Sequence, residues 1–167
     1  SRAWTSPIYS RSPLVQRSMV LDGTAKVIPY SDSLVTGTDR FATTNWTLEV
    51  WIRPGSTNET GSILVHRASN GRRTWDLRLE GNVPKIQYEG NSGITVEATA
   101  HAPIPADHWT HLAATWDRAH HALAIYVNGF AQHGLASFLF PALGDPDKVG
   151  ETLVGDGITG RLDELRI

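Results

Sequence analysis

The chain has no cysteine, which excludes a disulfide framework, a thiolate metal site and a thiol nucleophile together. That absence leaves the compartment open, because a domain of this size folds outside the cell without bridges. Lysine is scarce too: of 15 basic residues, only Lys26, Lys85 and Lys148 are not Arg, and 17 acidic residues bring the formal charge to −2. Such a balance offers no basic field to nucleic acid or an anionic membrane. No apolar run approaches the ~20 residues needed for a membrane span. The chain starts at Ser1 and has no charged leader followed by an apolar stretch, so it reads as an excised domain or a piece of a longer precursor. Helical periodicity is nearly absent.

What remains is a strand pattern. The 167 residues, 40% of them hydrophobic, suit one domain that buries roughly 70% of its unfolded surface. Apolar residues come in short runs rich in Val, Ile, Leu, Trp and Thr, broken by Gly, Pro, Asn, Asp and Ser, which is an all-β signature. In Trp46–Arg53, Leu48, Val50 and Ile52 point one way and Thr47, Glu49, Trp51 and Arg53 the other, and Pro54-Gly55 stops the strand. Further strands are expected at Met19–Leu21, Lys26–Ile28, Ser62–His66, Thr74–Leu79, Lys85–Tyr88 and Ile94–Ala98. His111–Trp116, Leu123–Val127, Phe130–Leu135, Leu153–Val154 and Gly160–Ile167 complete the set. Asn128-Gly129 marks a tight hairpin, and Glu80-Gly81-Asn82 a second. Thr99–Asp107, with Pro103 and Pro105, reads as a crossing loop, and Leu143–Thr152 as a rim loop. About a dozen strands imply two antiparallel sheets about 10 Å apart. Residues 18–167 form one domain, preceded by an edge strand or linker remnant over 1–17.

Five segments occur in a telling order: Ser18-Met19-Val20-Leu21-Asp22-Gly23, Trp46–Pro54, Trp109–Asp117, Tyr126-Val127-Asn128-Gly129 and Gly160–Ile167. Val27-Ile28-Pro29 and Ser33-Leu34 fall between the first two. This order resembles the laminin-G-like jelly roll of the concanavalin A-like lectin/glucanase superfamily, over Met19 to Ile167. The resemblance implies a two-sheet antiparallel β-sandwich whose first and last strands lie side by side. It also implies an extracellular or cell-envelope module that binds sugars or glycoproteins, often attached to an enzyme or adhesin. Trp46, Trp51, Trp109 and Trp116 match positions that usually pack the interior of such domains.

Four kinds of chemistry can be weighed. Pairing of the end strands would bring Asp22 and Gly23 near Asp163 and Glu164, offering carboxylate and carbonyl oxygens to a structural Ca²⁺. The alternative is an Asx turn at Asp22 and pairing of Glu164 with Arg53 or Arg166. Asp145-Pro146-Asp147 with Asp156-Gly157 forms a weaker acidic set. Of the seven histidines (His66, His101, His108, His111, His120, His121 and His133), none has a zinc-site spacing. Catalysis of glycoside hydrolysis requires two carboxyl groups in one cleft. Asp163-Glu164 are adjacent and point to opposite faces, while Glu49, Glu89 and Glu97 stand alone on their strands, so no enzyme is expected.

Sugar recognition would need an aromatic face beside hydrogen-bonding groups. Arg73, Trp75, Asp76, Tyr88 and Asn91 form that candidate set, joined by Trp4, Arg72, Arg78 and Gln87. Alternation puts Arg73, Trp75 and Leu77 on one face, with Asp76 and Arg78 on the other. The bland reading for any one of these aromatics is core packing, and for Arg72-Arg73 a solvated turn after Asn70-Gly71. Asn45-Trp46-Thr47 and Asn58-Glu59-Thr60 fit the N-glycosylation pattern. The expectation is a non-catalytic extracellular module of a larger secreted or envelope protein, taking a glycan or glycoprotein. The alternative is a structural module that docks on a protein partner or its own parent chain, and a hydrolase of the same superfamily is a third reading.

Overall fold

Alternation of apolar and polar residues builds every long strand. In β3 (Asn45–Pro54), Leu48, Val50 and Ile52 are buried while Glu49, Trp51 and Arg53 are half-buried on the other side. A computed structural model describes residues 18–27, 45–68, 70–90, 93–136 and 150–166. The expected features at residues 1–17 (Trp4 among them), Ile28-Pro29, Ser33-Leu34, Asn91 and Asp145–Asp147 lie outside those residues.

The remaining strands are β1 (Met19–Asp22), β2 (Lys26–Val27), β4 (Gly61–Ala68), β5 (Arg73–Glu80), β6 (Val83–Glu89), β7 (Thr95–Thr99) and β8 (Thr110–Asp117). β9 (Ala122–Val127), β10 (Phe130–Ala136), β11 (Gly150–Asp156) and β12 (Thr159–Arg166) follow. Among the described residues there is no helix. The first sheet has the order β1-β12-β3-β8-β9-β10 and the second β2-β11-β4-β5-β6-β7, with every pairing antiparallel. β11 starts at Gly150, so the end of the expected rim loop is strand.

The end strands do pair: Met19 lies opposite Leu162 and Asp22 opposite Thr159. Their neighbour β3 is approached so closely at Gly160 that a side-chain carbon there would collide with the Arg53 carbonyl, and φ at Gly160 is +131°. Glycine is required at that seam. The two hairpins are two-residue turns with left-handed dihedrals, Gly81-Asn82 at φ 58° and 63° and Asn128-Gly129 at 50° and 82°. Gly and Asn tolerate these angles, which match the strand twist.

Between the sheets, Leu48, Val50, Ile52, Leu112, Leu123 and Ile125 face Leu64, Leu77, Leu79 and Ile86, all at 2% exposure or less. Trp116 from the first sheet packs on Tyr88 from the second at 4.9 Å between ring centres, and Trp46 on Tyr88 at 5.9 Å. One end of the sandwich is closed by a polar clasp. The Glu59 carboxylate accepts hydrogen bonds from Thr159 N–H at 2.8 Å and its hydroxyl at 2.6 Å. Glu59 N–H donates to Asn82 Oδ1 at 2.7 Å. This ties β12 of one sheet to the β5–β6 turn of the other.

Candidate functional site

The proposed calcium set is not assembled. Antiparallel register places Asp22 opposite Thr159, four positions from Asp163, or roughly 13 Å along the strand. Asp22 Oδ1 instead accepts from Thr24 N–H at 3.0 Å and Lys26 Nζ at 3.1 Å, and these bonds lower its carboxyl pKa. The Gly23 carbonyl is taken by Gly157 N–H at 3.1 Å. At the far end Asp163 Oδ1 accepts from Glu164 N–H and Glu164 pairs with Arg166 at 3.3 Å. Among the described residues no group of three or more His, Asp or Glu is placed to hold a metal.

The sugar-binding set is divided. Trp75 and Tyr88 are 2% and 3% exposed in the core, so neither ring offers a face to a sugar. Trp75 packs beside His66, which is itself buried and bonded to Thr152 at 3.1 Å. The expected interior tryptophans also divide: Trp116 is buried and Trp46 packs on the core, whereas Trp51 is half-buried on the outer face of β3 and Trp109 is 40% exposed. Arg73 departs from the alternation as well. A bulge of β5 at Thr74, opposite His66/Arg67, shifts the register at Arg73, and the Arg73 guanidinium joins Asp76, not Trp75.

Arg73 and Asp76 do come together on the outer face of the second sheet. Cross-strand partners share a face, so Leu153, Val65, Asp76, Gln87 and Glu97 form one outward row. Asp156, Ser62, Arg78, Lys85 and Thr99 form the next. Asp76 is fully buried beneath the long side chains around it. Its Oδ2 takes Arg73 Nη1 at 2.7 Å and lies 3.8 Å from Arg78 Nη1, while Oδ1 is buried with no hydrogen-bond partner among the described residues. A buried carboxylate persists only when paired, and one orphaned oxygen is a cost that calls for an explanation.

Arg78 is held by Gln87 at 2.7 Å, Glu97 at 2.8 Å and Glu80 at 2.9 Å. Lys85 joins Glu80 at 2.6 Å, which lowers the Glu80 pKa and raises that of Lys85. Arg67 is tied to Asp156. Arg72, read from sequence as a solvated turn residue, is bonded to Glu89 and to the Gly90 carbonyl. Ser62, Arg73, Arg78, Glu80 and Asp156 rim a depression of about 340 Å³, within the size of small-ligand sites. Arg73 has a side chain 43% exposed and, among the described residues, only its Nη1 is engaged, by Asp76 and more weakly by Ser62 Oγ at 3.5 Å. Nε and Nη2 remain as donors. The sequence signal for this site was an Arg-x-x-Asp-x-Arg run on one strand, and it was diluted by the aromatics beside it.

Comparison with known proteins adds the ancestry of the fold. The carbohydrate-binding module CBM40 of a Ruminococcus gnavus IT-sialidase, solved with α2,3-sialyllactose, superposes with a TM-score of 0.67 at 14% identity over 90% of this chain and 85% of that one. NanB sialidase of Streptococcus pneumoniae gives 0.71 at 15% identity, over 89% of this chain and 25% of that one. The binding domain of Paraclostridial Mosquitocidal Protein 1 gives 0.66 at 13%, over 89% and 39%. No curated protein sequence matches the chain. A laminin-G-like family model matches residues 29–167. With the end-strand pairing and the two six-stranded layers, that match places the chain in the concanavalin A-like lectin/glucanase superfamily.

Proposed function

We propose that this chain is a non-catalytic carbohydrate-binding module that takes a glycan bearing an acidic sugar on the outer face of its second sheet. The observation that carries this reading is Arg73, anchored by buried Asp76 at the rim of the depression with two donor groups to spare. A guanidinium held at one end presents its remaining N–H fork at little entropic cost, and such a fork suits a carboxylate. Ser62, Glu80 and Asp156 supply the mixture of donors and acceptors that sugar hydroxyls need. The relative solved with sialyllactose supports the choice of an acidic sugar.

A hydrolase has less support. Its general acid must stay protonated near neutrality, whereas the bond from Lys85 holds Glu80 below the ordinary carboxylate range. A protein-docking module has less support as well. Among the described residues the large exposed apolar side chains are Met19 and Val20 on edge strand β1, Val27 on edge strand β2, Trp109 before β8 and Phe130 at the start of β10, so they come from four separate segments of the chain, whereas a docking face needs one contiguous apolar patch. The reading carries with it an extracellular or cell-envelope location, where such glycans are displayed.

The test is calorimetric titration with 3′-sialyllactose and a set of uronate oligosaccharides. Binding of at least one acidic glycan is expected, weakened about tenfold or more by Arg73→Ala, the scale of a lost charge-assisted bond. Absence of binding across the set, or affinity indifferent to Arg73, would rule the reading out.

A further inference from the structure

The outer face of the first sheet carries a groove of about 420 Å³ lined by Trp51, Trp109, Arg53, Arg161, Asp163 and Glu164, with Ser18 at its margin. We propose that this groove is a second sugar site, one that takes a neutral pyranose, and that it works independently of the charged face opposite.

The placement of the aromatics is the first argument. Trp51 projects from the middle of β3, between Asp163 and His111 on the neighbouring strands, with the His111 ring centre 5.2 Å away. Trp109 stands at the entry to β8 and is 40% exposed. Leaving so much indole in water is unfavourable in a domain where Trp46, Trp75 and Trp116 pack in or on the core. A flat apolar ring beside polar groups is what the C–H face of a pyranose requires.

The second argument is charge. Two guanidinium groups face two carboxylates, so the groove as a whole is neutral. Arg53 is fixed by Asp107, through the carbonyl at 2.9 Å and Oδ1 at 3.2 Å, and Arg161 bonds Ser18 at 3.2 Å. An acidic sugar would meet Asp163 and Glu164 at close range, whereas hydroxyls can serve both signs of partner.

Backbone conformation gives the third. Glu164 sits at φ +48° inside a bulge of β12 between Asp163 and Arg166. A non-glycine residue seldom adopts that angle, and bulges re-aim side chains beside functional sites. The bulge sets Glu164 on the same rim as Asp163, although adjacent strand residues ordinarily point to opposite faces.

The experiment follows the indole N–H resonances of ¹⁵N-labelled protein during titration with lactose, cellotriose, chitotriose and mannobiose. At least one of these neutral sugars should shift the Trp51 and Trp109 signals and leave that of buried Trp75 in place. Trp109→Ala should weaken the response about tenfold, Arg161→Ala should weaken it too, and Arg73→Ala should leave it intact. The proposal fails if none of the four sugars moves either signal at concentrations up to about 10 mM, the range of weak single-site binding. It fails equally if the Trp51 shift is unchanged in Trp109→Ala. Neither result would bear on acidic-glycan binding, which is read through Arg73.

Discussion

The two outer faces of the sandwich are covered in different ways. On the second sheet Arg67, Arg78 and Lys85 are each matched to carboxylates, and the side chains lie densely enough to bury Ser62, Asp76 and Val65 although these point away from the core. On the first sheet Trp51, Arg53, Arg161 and Asp163 flank an open groove, and Trp109 remains in water. The interior between them is uniform, with aliphatic and aromatic residues from both layers at almost no exposure. Stability therefore resides in the middle, and each face is free to carry its own chemistry. One face is a prearranged electrostatic network that holds a guanidinium ready; the other is an apolar surface edged by polar groups.

The contrast between buried and exposed aromatics gives the largest expected effect. Trp75→Ala should lower unfolding stability by about 3–5 kcal/mol through lost burial and a cavity. Trp109→Ala should stay within about 0.5 kcal/mol, both measured by urea denaturation. Comparable losses would mean that Trp109 is part of the core and that the groove is closed.

The clasp between the layers is expected to matter less, and in a pH-dependent way. Burial raises the Glu59 pKa, but hydrogen bonds from Thr159 and Ser56 outweigh it and the net shift is downward. A carboxyl depressed in the folded state stabilises the protein above its unfolded pKa, and that contribution disappears as pH falls through the folded value. Glu59→Gln should therefore cost about 1–3 kcal/mol at pH 7. The gap to the parent should narrow in acid, as thermal melts across pH 3 to 7 would record. A pH-independent gap would point to lost packing instead.

Salt should separate the faces most gently. Raising ionic strength from about 0.05 to 0.5 M shortens the screening length severalfold. Acidic-glycan affinity should fall by a few-fold while neutral-sugar shifts at Trp109 hold steady. Equal sensitivity would blur the distinction between the two sites.

Much of the architecture was legible along the chain because strand periodicity and turn chemistry are local. The alternation in β3 and the Asn128-Gly129 and Gly81-Asn82 turns follow from residue types and their order, whereas the pairing of the end strands was expected from the family resemblance. The functional candidates were harder. Arg73 and Asp76 do meet, as an ion pair on the outer face, but Trp75 and Tyr88 belong to the core. Alternation already placed Trp51 opposite Leu48, Val50 and Ile52, and the family pattern argued wrongly for the interior. Antiparallel pairing sets Asp22 opposite Thr159 and leaves Asp163 four positions further along β12, a separation that residue order alone does not give.

Sequence alone determined that short apolar runs would pair into two facing layers, because a strand repeats every two residues and its turns need Gly or Asn in set places. The tertiary structure decided which outward residues meet. Contacts across a sheet depend on strand order, register and single-residue bulges such as those opposite His66/Arg67 and at Asp163/Arg166. A shift of one position there sends a side chain to a different neighbour, and nothing in the local residue pattern records it.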